Sequence, residues 1–258
     1  MSFGECVKWP STQEYLEESV ERTLRWARRG KDVKSDYTTS AMLGTDGRDY
    51  KGVYSFGTSN YKGSMETSAI ATYRWNNDTS ANRYGSNNWA TSEFNTINLN
   101  TNYWNYLGTT WQNLIAEATW HLGGMEDDEY TAKAFYDGER NNAGYGSNPT
   151  TYTDEIGLMY PSDFGYAASP DAWTTDLISY DSSTIPANNW MYMGLAEWTI
   201  NPYSSYSNFV FLVNDSGNLS SYIAGLGLSA RPVFYLESNV QLEGGSGTIT
   251  NPIRLSVN

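Results

Sequence analysis

Reactive side chains are scarce in this sequence, which bounds the chemistry it can do. Its 258 residues include one cysteine and one histidine. Cys6 alone closes no intramolecular disulfide and builds no multi-thiolate metal site. His121 stands in "ATWHLGG", at the expected end of a helix, where an imidazole serves as a dipole cap or a core residue rather than as the base of a serine-type site. Carboxylates are more plentiful. The run "MEDDEY" spaces Glu126 to Glu129 closely enough for calcium, and equally suits a solvated loop or the acidic start of a helix. Asn76, Asn77 and Asp78 in "RWNNDTS", and Asn214 and Asp215 in "VNDSG", add oxygen ligands. No cofactor is expected, with calcium left open. Glycoside hydrolysis would need two carboxylates about 5 to 10 Å apart. Asp154, Glu155, Asp163, Asp176, Asp181 and Glu197 are available, but no acid and base pair is marked among them, so an enzyme is not the expectation.

A binding surface is the stronger signal. Of the 29 residues from Asn201 to Ser229, 14 are Ser, Asn or Tyr, and an apolar strand follows directly. Tyrosine offers a flat apolar face with a polar edge, and Ser and Asn supply adaptable hydrogen bonds. The residues expected to face a ligand from a loop here are Tyr203, Ser205, Tyr206, Asn208, Asn214, Asn218 and Tyr222. Trp190, Trp198 and Tyr192 are expected to support the core beneath them. Arg231 stands where loop meets strand, because Pro232 biases it toward extended geometry, and its fork suits a carboxylate or loop carbonyls.

The whole composition agrees. Aromatics are 15% of residues, with 21 Tyr and 10 Trp, against 17% charged. The formal net charge of -13 repels nucleic acid and anionic membranes. The basic cluster "ERTLRWARRGKDVK" reads first as a helix end. No 18-residue window is continuously apolar, and "MSFGECVKWP" lacks the pattern of a secretion signal, so the chain as given reads as soluble.

These side chains need elements to position them. Residues 11–30 form the clearest amphipathic helix, capped by Ser11 or Thr12, acidic early, basic late and closed by Gly30. Tyr15, Leu16, Val20, Thr23, Leu24 and Ala27 line one face, which suits docking or assembly. Short strands and turns are expected over 36–72. Two helices follow, at about 90–99 and from Thr109 or Thr110 to Trp120, the second ending at Gly123 and Gly124. "TAKAFYDGER" reads as a further short helix or turn and "DEIGLMYPSDFGYAAS" as a buried strand entering a loop. "NNWMYMG", "EWTINP", "NFVFLVND", "GLSARPVFYLES" and "GGSGTITNPIRLSV" read as short strands. No segment repeats at a fixed period, which argues against a solenoid or propeller. The division is an N-terminal helical segment, 1–35, and an α+β domain, 36–258.

The blocks "NNWATSEFNTINLNTNYWNYL", "IGLMYPSDFGYAAS", "NNWMYMGLAEWTINP" and "ARPVFYLESNVQLEGGSGTITNPIRL", in that order, resemble an uncharacterised domain of surface and pilin-like proteins of Gram-positive bacteria. That domain is similar to the C-type-lectin-like fold of formylglycine-generating enzymes and of the variable proteins of diversity-generating retroelements. The resemblance covers residues 72–258. It implies a small twisted antiparallel sheet, two flanking helices and long ligand-bearing loops. The chain departs from the enzymes, whose chemistry needs thiols in the pocket, because Cys6 lies outside the matching blocks. It also lacks the Glu-Pro-Asn or Gln-Pro-Asp triplet and the Trp-Asn-Asp of calcium-dependent lectins. The expectation is a non-enzymatic display, adhesion or receptor-binding domain for a protein or glycan, extracellular, on a cell surface or on a phage particle. Two alternatives stand beside it: a structural subunit of a filament or phage particle, and a carbohydrate-active hydrolase.

Overall fold

The computed structural model describes residues 37–44, 48–49, 61, 67–76, 84–127, 129–180, 189–244 and 254–257. The expected helix over 11–30, with its assembly role, and most of the strands expected before residue 67 lie outside these residues. The architecture is α+β, built from several small antiparallel sheets and short helices.

In chain order, helix α1 (Ser40–Leu43) precedes strands β1 (Arg48–Asp49) and β2 (Ala71–Arg74). A 3-10 turn (Trp89–Thr91), a π-helix (Phe94–Tyr103) and α2 (Trp104–Gln112) come next. Strands β3 (Ile115–Ala116) and β4 (Ala118–His121) lead to α3 (Ala132–Asn141). Strands β5 (Thr151–Asp154) and β6 (Ile156–Leu158) lead to α4 (Pro161–Tyr166). The last third holds β7 (Glu197–Pro202), β8 (Phe209–Val213), β9 (Leu219–Ile223), β10 (Gly227–Leu228), β11 (Pro232–Leu236), β12 (Val240–Gly244) and β13 (Arg254–Val257).

Strands β7, β8 and β9 pair antiparallel as a meander, and its sequence explains its central place. The run Phe209–Val213 is apolar at every position, the pattern of a strand covered on both faces. Because side chains alternate, Val210 and Leu212 join Trp198 and Ile200 in one core cluster. Phe211 and Val213 join Leu219, Phe135 and Phe164 in a second. A separate sheet runs β3, β11, β6, with Val233 opposite Gly157. Gly157 lies against the Trp120 ring, where an added Cβ would come within 2.7 Å.

Five sequence expectations are corrected. The helix expected to run to Trp120 ends at Gln112, and the chain from Ile115 to His121 is strand. Apolar residues at 111, 114, 115 and 118 fit a helical face, but Ala118, Trp120 and Leu122 fit alternation as well, and β4 finds a partner in β5. His121 therefore caps no helix; it pairs with Thr151 in that sheet. The helix expected over 90–99 is a 3-10 turn followed by a π-helix that reaches Tyr103. "NNWMYMG" makes turns rather than a strand among its described residues. The ligand loop expected over 201–229 is instead the meander and β10, joined by the short connections 203–208, 214–218 and 224–226.

Candidate functional site

The seven residues expected on one loop are distributed over both ends of the meander. Tyr203, Ser205, Tyr206 and Asn208 occupy the connection between β7 and β8. Tyr222 lies near that same end, opposite Val210 in the β8–β9 pairing. Asn214 and Asn218 close the β8–β9 turn at the far end, where the Asn214 backbone N–H donates to the Asn218 carbonyl at 2.8 Å. There Ser216 Oγ lies 2.6 Å from Asn218 Oδ1, and the Tyr192 hydroxyl donates to the Asp215 carbonyl. This second turn holds itself and does not join the first.

At the first end the tyrosines play different parts. Tyr206 is 57% exposed and Tyr222 is 49% exposed. Tyr203 is half-buried: its ring lies 5.8 Å from Tyr206 and 5.3 Å from Phe211, so it links the outward ring to the second core cluster. Tyr206 also rests on Phe209 at 5.3 Å. Phe209 and Phe211 point to the face opposite Val210, so Tyr222 emerges from the other face of the sheet.

Asn87, 1% exposed, organises this end. Its Nδ2 shares two N–H groups among three carbonyls, Tyr203 at 2.9 Å, Tyr206 at 2.7 Å and, more weakly, Phe209 at 3.2 Å. Its backbone N–H donates to Ser207 O at 2.8 Å. Its Oδ1 accepts from Asn148 Nδ2 at 2.9 Å. A single buried carboxamide thus fixes the backbone that presents Tyr206. Sequence reasoning missed Asn87 because the carbonyls it holds are more than one hundred residues away.

The supporting residues are deeply placed. Trp198 is buried and donates its ring N–H to Tyr73 O at 2.7 Å. Trp190 is half-buried against the second cluster, and among the described residues its buried ring N–H has no hydrogen-bond partner. Arg231 forms a two-pronged pair with Glu197, with Nε and Nη2 each 2.5 Å from a carboxylate oxygen. Nη2 also donates to Met191 O at 2.7 Å, and the guanidinium lies 5.5 Å from the Tyr37 ring centre. Burial raises the Glu197 carboxyl above its ordinary range, and Arg231 opposes that.

A second polar cluster lies between α3 and α4. The buried Glu139 carboxylate accepts from Ser162 N at 2.8 Å, Ser162 Oγ at 2.5 Å and Arg140 Nη1 at 2.9 Å. Burial pushes its carboxyl up to about 7 against the pull of Arg140 and Ser162. The Arg140 guanidinium covers the Tyr136 ring at 3.6 Å. The Tyr160 hydroxyl accepts from His121 N at 2.8 Å, and the imidazole is shifted downward by burial and then by Arg140. Asp163 closes the start of α4 by accepting from Tyr160 N at 3.0 Å. These groups are spent on one another, as expected of a joint between helices.

Of the other carboxylates considered for chemistry, Asp154 is raised to about 7 by burial and by Glu155, while Asp78, Asp128 and Asp181 lie outside the described residues. Glu126, Asp127 and Glu129 are exposed. Among the described residues no group of three or more His, Cys, Asp or Glu side chains is arranged to hold a metal ion, and no helix is long and apolar enough to cross a membrane.

No protein-family model matches the chain, and no solved structure matches it. Short similarities occur with queuine tRNA-ribosyltransferases. The enzyme of Listeria monocytogenes serovar 1/2a is 60% identical over 30 residues, 12% of this chain and 8% of the enzyme. That of Acetivibrio thermocellus is 41% identical over 44 residues, 17% of this chain and 12% of the enzyme. That of Caldanaerobacter subterraneus is 38% identical over 52 residues, 20% and 14% respectively. The chain spans about an eighth of the length of such relatives. Matches of this extent identify no family.

Proposed function

We propose that residues 36–258 form a C-type-lectin-like, non-enzymatic domain for surface display, adhesion or receptor binding, working outside a cell or on a phage particle. Its contact surface is the end of the meander that carries Tyr206, with Ser205 beside it, while Tyr222 stands at the same end on the opposite face of the sheet. One observation carries this reading: Asn87 fixes the backbone of an exposed tyrosine turn by binding three of its carbonyls. A pre-set turn loses little conformational freedom when a ligand arrives, which is how rigid aromatic contacts gain affinity. Tyr203 and Asn208 support the surface from below, since they are half-buried. Asn214 and Asn218 belong to the opposite turn and are left out of it.

The test is binding of the labelled full chain to arrays that present both extracellular proteins and glycans. The expected result is retention of one ligand class, with Tyr206→Ala reducing it about tenfold or more while the melting temperature holds. Absence of any ligand, or binding indifferent to Tyr206→Ala, would overturn the reading. Concentration-dependent self-association in light scattering would favour the structural-subunit alternative instead.

A further inference from the structure

The tetrapeptide Tyr-Gly-Ser-Asn occurs twice, at 84–87 and at 145–148. In both copies the glycine takes a left-handed φ, +74° at Gly85 and +57° at Gly146, a conformation that residues with a Cβ resist. Both tyrosines are exposed, Tyr84 by 39% and Tyr145 by 37%. The two asparagines meet through the bond from Asn148 Nδ2 to Asn87 Oδ1, and the Asn148 backbone N–H closes its own turn on the Tyr145 carbonyl at 3.0 Å. The first copy is also tied to the chain beyond β9, because Gly225 N donates to Tyr84 O at 3.0 Å. Around Gly85 there is no spare room: an added Cβ would meet Asn76 O at 2.3 Å and Gly225 N at 2.7 Å. Two copies of one motif therefore converge, through Asn87, on the turn that presents Tyr206.

The chemistry of these segments is uniform. Residues 84–88, 145–148, 203–208 and 222–226 include no Asp, Glu, Lys, Arg or His, in a chain that is 17% charged. Apart from Ile223, Ala224 and Leu226 they are Tyr, Ser, Asn and Gly. We infer that this end of the meander binds a neutral carbohydrate, with Tyr84, Tyr145 and Tyr206 as its ring contacts. The inference rests on the binding-module reading and names its ligand. A pyranose offers a C–H face that lies on a tyrosine ring and a rim of hydroxyls that pair with Ser and Asn, so each half of the sugar meets its counterpart. A sulfate, phosphate or carboxylate would find no cation in these segments and would approach a chain of net charge -13. Protein hot spots are enriched in Trp and Arg as well as Tyr, and these segments hold neither Trp nor Arg. Here rings alternate with hydroxyls and amides, and Leu226 is the exposed large aliphatic residue of the four segments.

Isothermal titration of the full chain with maltohexaose, cellohexaose, chitohexaose and mannan, and with hyaluronan and heparin as anionic controls, tests the inference. At least one neutral glycan is expected to bind with an affinity insensitive to added salt, since no charge pair is made. Tyr84→Ala, Tyr145→Ala and Tyr206→Ala are each expected to weaken it about tenfold or more at unchanged melting temperature. The control is Trp111→Ala, which removes an exposed ring on α2 and should leave binding intact. Preference for the anionic polymers, neutral binding that survives both Tyr84→Ala and Tyr145→Ala, or failure of every neutral glycan overturns the assignment. If Tyr206→Ala still abolishes capture of a protein ligand while no neutral glycan binds, the carbohydrate inference falls and the binding-module reading stands.

Discussion

Asn87 has the most partners to lose at the tyrosine end. Its carboxamide serves three carbonyls and accepts one amide, and it is buried, so truncation leaves polar groups that water reaches poorly. Asn87→Ala should destabilise the fold by about 1–3 kcal/mol, the cost of stranding buried hydrogen-bonding groups. Asn87→Asp keeps the volume but turns the donor into an acceptor, and sets a buried carboxylate against the carbonyls of Tyr203, Tyr206 and Phe209. It should be the worse of the two, a ranking that thermal melts of both variants measure directly. Equal melting temperatures would mean that the amide donor does not hold the turn. Arg231 shows what could be read in advance: an arginine before Pro232 at a strand start has few extended geometries, and a two-pronged carboxylate partner suits its fork. The identity of that partner, Glu197, was not legible, because strand pairing and not sequence distance brings them together.

Among the elements, the joint of α3 and α4 is the one whose stability should answer to pH. Glu139 lies near the end of α3 and accepts both hydrogen bonds of Ser162 in the first turn of α4. Its carboxyl rises from an ordinary 4.5 to about 7 on folding. The folded state therefore holds a proton that the unfolded chain has released between these two values. The stabilising contribution of the protonated group is complete below about 4.5 and fades as pH climbs through about 7. Asp163 is shifted in the same direction by burial, and His121 is shifted downward, which acts in the opposite sense near neutrality. Comparing wild type with Glu139→Gln isolates the one group: urea midpoints across pH 4.5 to 7 should fall more steeply for wild type than for the variant. Parallel slopes would place the titration elsewhere. The segment "TAKAFYDGER" was legible as a helix or turn, and the structure makes it a helix capped by Thr131, whose side chain accepts from Ala134 N. The stretch from Trp111 to His121 was not, since its apolar residues satisfy both a 3.6-residue and a two-residue period and only the presence of β5 decides between them. The polar run over 201–229 misled for a related reason. Its Ser and Asn residues sit in tight turns and at a strand edge, and composition does not distinguish three short connections from one long loop.

For the molecule as a whole, the important fact is that β8 belongs to two cores at once. Val210 and Leu212 face the cluster that holds Trp75, Trp89, Trp120 and Trp198. Phe211 and Val213 face the cluster of Phe135, Phe164 and Tyr180, with Trp173 and Trp190 at its margin. A strand shared in this way couples the two sides, because neither cluster can open without unpairing the meander. Phe211 is fully buried, meets Phe135 edge-on at 5.2 Å and supports Tyr203. Phe211→Ala should therefore cost about 3–5 kcal/mol, the range for removing a buried ring. The consequence reaches beyond its own cluster. With fluorotryptophan incorporated throughout, the resonances of Trp120 and Trp198 on one side and of Trp173 and Trp190 on the other should disappear over one common denaturant transition. In Phe211→Ala that transition should move to lower denaturant as a single event. If the second cluster melted first while Trp198 kept its native signal, the two cores would be independent, and the meander would no longer explain how the tyrosine turn is held rigid.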